Sequence, residues 1–221
     1  MDVSFALITE GITDQVALEA IIRGHYKRFD PKIEVSVTMV QPLRDATDAS
    51  KQDLETDGGW ERVFEVCADA DVSLDALSLN DYLVVQVDTD QGEHLNFGLS
   101  LTPGGVDADE AALVQQARTV ISEKFGDSWL EVEERVITAI SVHSLECWLM
   151  ALHDRPVRST KRCDDRLRQE LARQNKDYRK THDCYIQISK DFLKPKHLDA
   201  ARARCVSLDH FVNDLPPPVE P

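Results

Sequence analysis

No stretch of this chain approaches the ~18 consecutive apolar residues that a membrane-spanning helix requires, so an integral helical membrane protein is not expected. The amino terminus, Met1-Asp2-Val3, has no basic segment leading into an apolar one, and no secretory signal is expected. The five cysteines (Cys67, Cys147, Cys163, Cys184 and Cys205) are odd in number, widely spaced and include no C-x-x-C pair. They read as free thiols in a reducing cytosol, so a cytoplasmic protein is expected. His182-Asp183-Cys184, taken with Cys163 and Cys205, matches no zinc ribbon or finger spacing. No internal repeat is visible.

Positive charge is scarce over most of the chain. Residues 1–154 hold 10 Lys/Arg against 30 Asp/Glu, whereas residues 155–205 hold 15 Lys/Arg against 7 Asp/Glu. Residues 206–221 hold no base and 3 acids, giving −15 for the 221 residues. An acidic body with a basic C-terminal third suits a metal-dependent enzyme carrying its own polyanion-binding surface. It equally suits a solvated helical face that pairs with the acidic body.

Hydropathy places the elements. Residues 3–9 read as a strand apolar on both faces, as in a parallel sheet. Residues 14–28 read as a helix and the alternating 33–40 as a strand nearer the edge. Residues 43–58 read as an acidic loop and 60–71 as a helix. Tyr82-Leu83-Val84-Val85-Gln86-Val87 is a second core strand, and 91–106 a loop. Residues 107–125 read as a helix capped by Asp107 or Asp109, 135–142 as a third core strand, and 144–153 as an apolar helix. Further helices are expected over 159–173, 196–204 and 207–214, with a flexible tail from 215 to 221. Strands alternating with helices predict an α/β fold with a parallel sheet flanked by helices. The expected organisation is a catalytic unit over 1–154, interrupted by an insertion over about 43–80, with a basic helical cap over 155–214.

The chemistry-bearing residues fall at strand ends. Thr9-Glu10-Gly11-Ile12-Thr13-Asp14 follows the first strand directly, and Asp88-Thr89-Asp90 follows the second. Ligands of open α/β sheets bind at the carboxyl ends of strands. Glu10, Asp14, Asp88 and Asp90 would there offer all-oxygen ligands to one hard divalent cation, or to two about 3.5–4 Å apart. Asp14 has the competing role of helix cap, and Asp90 that of a turn residue. His143-Ser144-Leu145-Glu146 follows the third strand, bringing Glu146 to the same edge in an otherwise apolar helix. A buried carboxylate needs a partner: a metal ion, a lysine or a helix N-terminus. His143 is either a general acid or phosphate contact, or simply a residue that opens the helix.

Glu10-Gly11-x-x-Asp14 after one strand and Asp88-x-Asp90 after another resemble the Toprim domain, the catalytic module of topoisomerases, bacterial primases, RNA-maturing ribonucleases and phage-defence nucleases. His143-x-x-Glu146-x-x-Leu149 is similar to a motif of small stand-alone Toprim-like proteins that accompany ATPases in bacterial defence islands. The likeness covers roughly residues 3–154. It implies a Rossmann-like Toprim sheet and metal-dependent phosphodiester hydrolysis, with DNA or RNA as substrate. It also implies a partner ATPase or a homo-oligomer in an anti-phage setting. Glu10 would bind metal or act as general acid/base, Asp88 and Asp90 would bind one or two Mg²⁺ or Mn²⁺ ions, and Glu146, with Asp14, would complete a second ion site. The 78 positions between Glu10 and Asp88 exceed a minimal Toprim spacing, and Asp14 stands where defence-type members often carry glutamate. No tyrosine stands in a strand-passing motif, which argues against a topoisomerase.

Arg158, Lys161, Arg162, Arg166, Lys190, Lys194 and Lys196 are the expected nucleic-acid contacts. Few aromatics (Tyr178, Tyr185, Phe192) lie among them, which favours phosphate contact over base stacking. Lys190, Lys194 and Lys196 are expected near the site. The alternative function is a non-catalytic module of the same fold whose acidic surface docks a partner protein.

Overall fold

The computed structural model describes residues 2–43, 58–153 and 161–218. The elements are β1 (Asp2–Ile8), α1 (Ile12–Tyr26), β2 (Glu34–Gln41), α2 (Trp60–Ala68), α3 (Ala70–Leu79), β3 (Tyr82–Asp88), α4 (Glu110–Phe125), the single turn α5 (Trp129–Val132), β4 (Val136–Ser141), α6 (Glu146–His153), α7 (Cys163–Arg173), α8 (His182–Ser189), α9 (Pro195–Arg202) and α10 (Val206–Asp214). The four strands form one parallel sheet in the order β2-β1-β3-β4. This is the α/β arrangement that alternating strands and helices predict, with β2 at an edge.

Side chains alternate across a strand, so each strand feeds two cores. Phe5 and Leu7 of β1, Val84 of β3 and Ala139 of β4 face one layer, built from α1 and α6 to α10. Ala6 and Ile8, Leu83, Val85 and Val87, and Ile140 face the other, built from α2, α3 and α4. The basic segment therefore forms half of a structural layer. Leu167, Leu171, Tyr185, Ile188, Phe192, Leu198 and Phe211 lie in one hydrophobic cluster with the sheet. Trp148 anchors that layer, stacked on Phe211 at 5.5 Å and donating Nε1–H to Ser207 Oγ at 2.9 Å. At the start of the expected flexible tail, Leu215 is buried and Pro216 accepts a hydrogen bond from Tyr26 at 2.7 Å, so these two residues are packed on the body.

Three helices escaped the sequence reading: α3, α8 and the single turn α5. α3 follows α2 after one residue, Asp69, whose carboxylate caps it by accepting from Val72 N at 3.3 Å. α8 fills 182–189. The described part of the expected insertion, 58–80, is α2 and α3, and it buries Val63, Phe64, Cys67 and Leu77 in the second core. Most of the expected acidic loop, 44–57, lies outside the described residues.

The reading of five free thiols is corrected. Cys147 and Cys163 form a disulfide across a Cα–Cα distance of 5.0 Å, while Cys67, Cys184 and Cys205 are free. The pair is 16 residues apart and meets only because α6 packs against α7. Spacing alone did not reveal it, and the thiol count no longer argues for a reducing compartment. Among the described residues, no helix is long and apolar enough to cross a membrane.

Candidate functional site

Strand register decides which acids meet. Ile8 of β1 is level with Val85 of β3, and Asp88 is level with Ser141 of β4. The chain leaving β1 therefore rises beside the last turn of β3. Glu10 Oε1 accepts from Asp88 N at 2.6 Å, so the two motifs touch. Gln86, wholly buried, threads them together: its Oε1 accepts from Glu10 N at 3.1 Å and its Nε2 donates to Asp88 Oδ1 at 2.9 Å. Leu145 N donates to the same Asp88 oxygen at 3.1 Å, which ties in the segment after β4.

The flanking backbone is equally specified. Gly59 N donates to Glu10 O at 2.8 Å, and the Trp60 N–H at the start of α2 points to the Glu10 carboxylate. Asp14 folds back toward Gly11 N–H rather than outward; a Cβ on Gly11 would lie 3.1 Å from Asp14 Oδ2, a tight approach that glycine relieves. Asp90 is exposed, with its N–H bonded to His143 O at 3.0 Å. His143 adopts a left-handed φ of 64°, and its N–H donates to Thr89 Oγ1 at 2.8 Å. This pins the turn after β4 to the turn after β3.

Glu146 is only 5% exposed, and its Oε1 accepts from Tyr185 OH at 2.6 Å and Lys180 Nζ at 3.0 Å, with Tyr178 OH 3.4 Å away. Ser144 adds a side-chain hydrogen bond. Lys180 also reaches Asp164 Oδ1 at 3.5 Å, and Tyr178 OH donates to that oxygen at 2.5 Å. Of the open options for Glu146, the structure supplies a lysine.

These surroundings divide the acids electrostatically. Burial, then the charges of Asp14 and Asp90, push Glu10 up to about 8 against the Asp88 and Trp60 amides, which pull it down. Burial and Glu146 push Asp14 up to about 7, with Lys180 opposing. Burial holds Asp88 well above the usual carboxylate range, reinforced by Glu10, Asp14, Glu146 and Asp90. Burial also works against ionisation of Glu146, but Lys180, Ser144 and Tyr185 outweigh it and its carboxyl lies below the ordinary value. Burial and then Lys161 depress His143.

The expected nucleic-acid contacts scatter. Lys161 is near the site: its charge acts on His143, and its Nζ pairs with Asp107 at 2.6 Å. Arg162 pairs with Asp165 at 2.9 Å. Arg166 lies on α7, and Arg158 falls outside the described residues. Lys190, Lys194 and Lys196 are not beside the acids. They flank Phe192, whose backbone packs so closely on Gly24 that a Cβ there would meet its carbonyl oxygen. Gly24 is ten residues along α1 from Asp14, about 15 Å at 1.5 Å per residue. Sequence reasoning missed Lys180, Tyr178 and Tyr185 as site residues. The one signal was a cation and two phenols inside a segment read as surface.

A hard divalent cation requires oxygen donors, which Glu10, Asp14, Asp88 and Asp90 supply, and burial together with neighbouring acids raises the pKa of Glu10, Asp14 and Asp88. Among the described residues, none of these four lies within ion-pair distance of a lysine or arginine. Among the described residues, too, no group of three or more His, Cys, Asp or Glu side chains is arranged to hold a metal ion as it stands. No protein-family model, curated protein or solved structure matches the chain.

Proposed function

We propose that this protein is a divalent-metal-dependent nuclease with a Toprim-like active site, hydrolysing phosphodiester bonds with Mg²⁺ or Mn²⁺. The observation that carries the reading is the contact of Glu10 with Asp88. Two acids 78 positions apart meet, half-buried, at the carboxyl end of adjacent parallel strands. Glu10, Asp14, Asp88 and Asp90 would hold the ion after small side-chain rotations that release Glu10 from the Asp88 amide. A bound ion supplies neutralisation of the phosphate oxygens and a lowered pKa for the attacking water. If instead it stays off the ion, Glu10, pushed up to about 8 chiefly by burial, would be suited to exchange a proton near neutral pH. Gln86 and Leu145 N–H fix Asp88, and Lys161 offers a positive charge beside His143. By its motifs, the protein would serve anti-phage defence with a partner ATPase or as an oligomer.

Given Mg²⁺ or Mn²⁺, the purified protein should nick or cut at least one of plasmid DNA, tRNA and total RNA. The Asp88→Ala/Asp90→Ala double variant should lose at least a hundredfold in rate. Equal behaviour of the two proteins would sink the proposal. The absence, among the described residues, of a ready three-donor group favours the second reading, a non-catalytic acidic docking module. That module would bind a basic partner in a salt-sensitive manner and would do so without metal.

A further inference from the structure

The acids at this rim fall into two sets. Glu10, Asp14, Asp88 and Asp90 have no ion pair among the described residues. Their close donors are neutral: backbone N–H groups of Asp88, Trp60, Gly11 and Leu145, and the Gln86 amide. Glu146 and Asp164 form the second set, and they share Lys180.

The Glu146 carboxylate is already engaged. It takes donors from Tyr185, Lys180 and Ser144, while the Tyr178 proton goes to Asp164. Tyr185 is itself buried, and its hydroxyl also meets that of Tyr178 at 3.2 Å. To join a metal, Glu146 would have to leave a lysine and a buried phenol and strand the phenol without its acceptor.

We propose that Lys180 occupies the place of a second metal ion, so that the site takes one divalent cation, held by the Glu10–Asp88 half. Glu146 and Asp164 are then positioning residues for Lys180 rather than metal ligands. The lysine is fixed on its inner side by these two acids, while 59% of its side chain stays open to solvent. An ammonium so held presents positive charge to an incoming phosphate oxygen without itself dissociating. Tyr185 holds Glu146 and Tyr178 holds Asp164, so each acid of the pair has its own phenol donor. The disulfide between Cys147 and Cys163 joins the residues next to Glu146 and Asp164, which fixes the spacing of the two acids that cradle it.

This inference rests on the metal-dependent reading above, and Mn²⁺ titration calorimetry of the full chain separates the two. The wild type should bind one ion per chain, and Glu146→Gln should bind Mn²⁺ within threefold of wild type. Lys180→Met should uncover Glu146 and Asp164 and bind a second ion, whereas Lys180→Arg should stay at one. Glu10→Gln should weaken Mn²⁺ binding at least tenfold. Far-ultraviolet circular dichroism of each variant confirms that it is folded. An absence of heat in the wild type rejects the metal reading itself. Two ions in the wild type, a more than threefold loss in Glu146→Gln, or a single ion in Lys180→Met rejects the role of Lys180 alone.

Discussion

At the scale of the residue, Gln86 shows how one buried amide can organise a site. It is the single polar side chain in the run Leu83-Val84-Val85-Gln86-Val87, and it is wholly buried. Its carbonyl oxygen and amide nitrogen serve Glu10 and Asp88 at once. Gln86→Met keeps the volume but leaves the Glu10 N–H and an Asp88 oxygen without that partner. A buried donor or acceptor left unmade costs about 1–3 kcal/mol. Thermal unfolding should drop by about 2–4 °C for each kcal/mol in a chain of this size. Scanning calorimetry of Gln86→Met against Gln86→Glu checks this, since glutamate restores an acceptor but adds a fifth close negative charge. Glutamate should be the worse of the two at pH 8 and not at pH 5. Glu10, Asp88 and Asp90 were legible because each follows an apolar strand, and parallel strands end together. Lys180 and Tyr185 were not, because the contact that matters spans 34 and 39 residues and no periodicity encodes it.

At the scale of the element, α6 and α7 act as one clamp. α6 follows β4 directly and is buried on nearly every side, from Glu146 to Ala151. α7 is amphipathic and buries Cys163, Leu167 and Leu171 against it. The disulfide closes a loop of about 16 residues between them, and a loop of ~15 residues is worth about 3 kcal/mol in chain entropy. Urea unfolding with and without dithiothreitol should show a loss of that order, and Cys163→Ser should reproduce it without reductant. If reduction leaves the midpoint unmoved, the bond contributes nothing to the clamp. Sequence patterning found α6 and α7 because each repeats its apolar face. It did not find α8, whose 182–189 stretch alternates His, Asp and Gln with Tyr and Ile and offers no clean stripe. It likewise ran α2 on to residue 71 and missed the rest of α3, because the break between them is the single residue Asp69.

At the scale of the whole molecule, the buried acids set how stability responds to pH. Glu10 and Asp14 titrate at about 8 and 7 when folded, against ordinary values of 4.5 and 3.8, and Asp88 is raised as well. Between about pH 4.5 and 8 the folded state therefore binds more protons than the unfolded chain, so stability falls as pH rises through that window. His25 works the other way. It is buried with neither ring nitrogen hydrogen-bonded, and burial lowers it from 6.5 to about 4. Its contribution is complete above 6.5 and is lost as pH falls toward 4. His143 and His153 are depressed in the same sense, and Glu110 is raised like the other acids. The histidines cease to oppose above about pH 6.5, so the metal-free melting temperature should decline from about pH 5 to pH 8, most steeply in the upper half. Glu10→Gln should flatten that decline and melt higher than wild type at pH 8. A divalent cation binds only the ionised carboxylates, so its stabilisation should grow with pH. Mn²⁺ should raise the wild-type melting temperature more at pH 8 than at pH 6 and leave Glu10→Gln nearly unchanged. Scanning calorimetry in chelator and then in Mn²⁺ reads both effects on one protein. A metal-free melting temperature that climbs from pH 5 to pH 8 would mean that these carboxylates are not crowded together in the folded chain, and the nuclease reading would lose its physical basis.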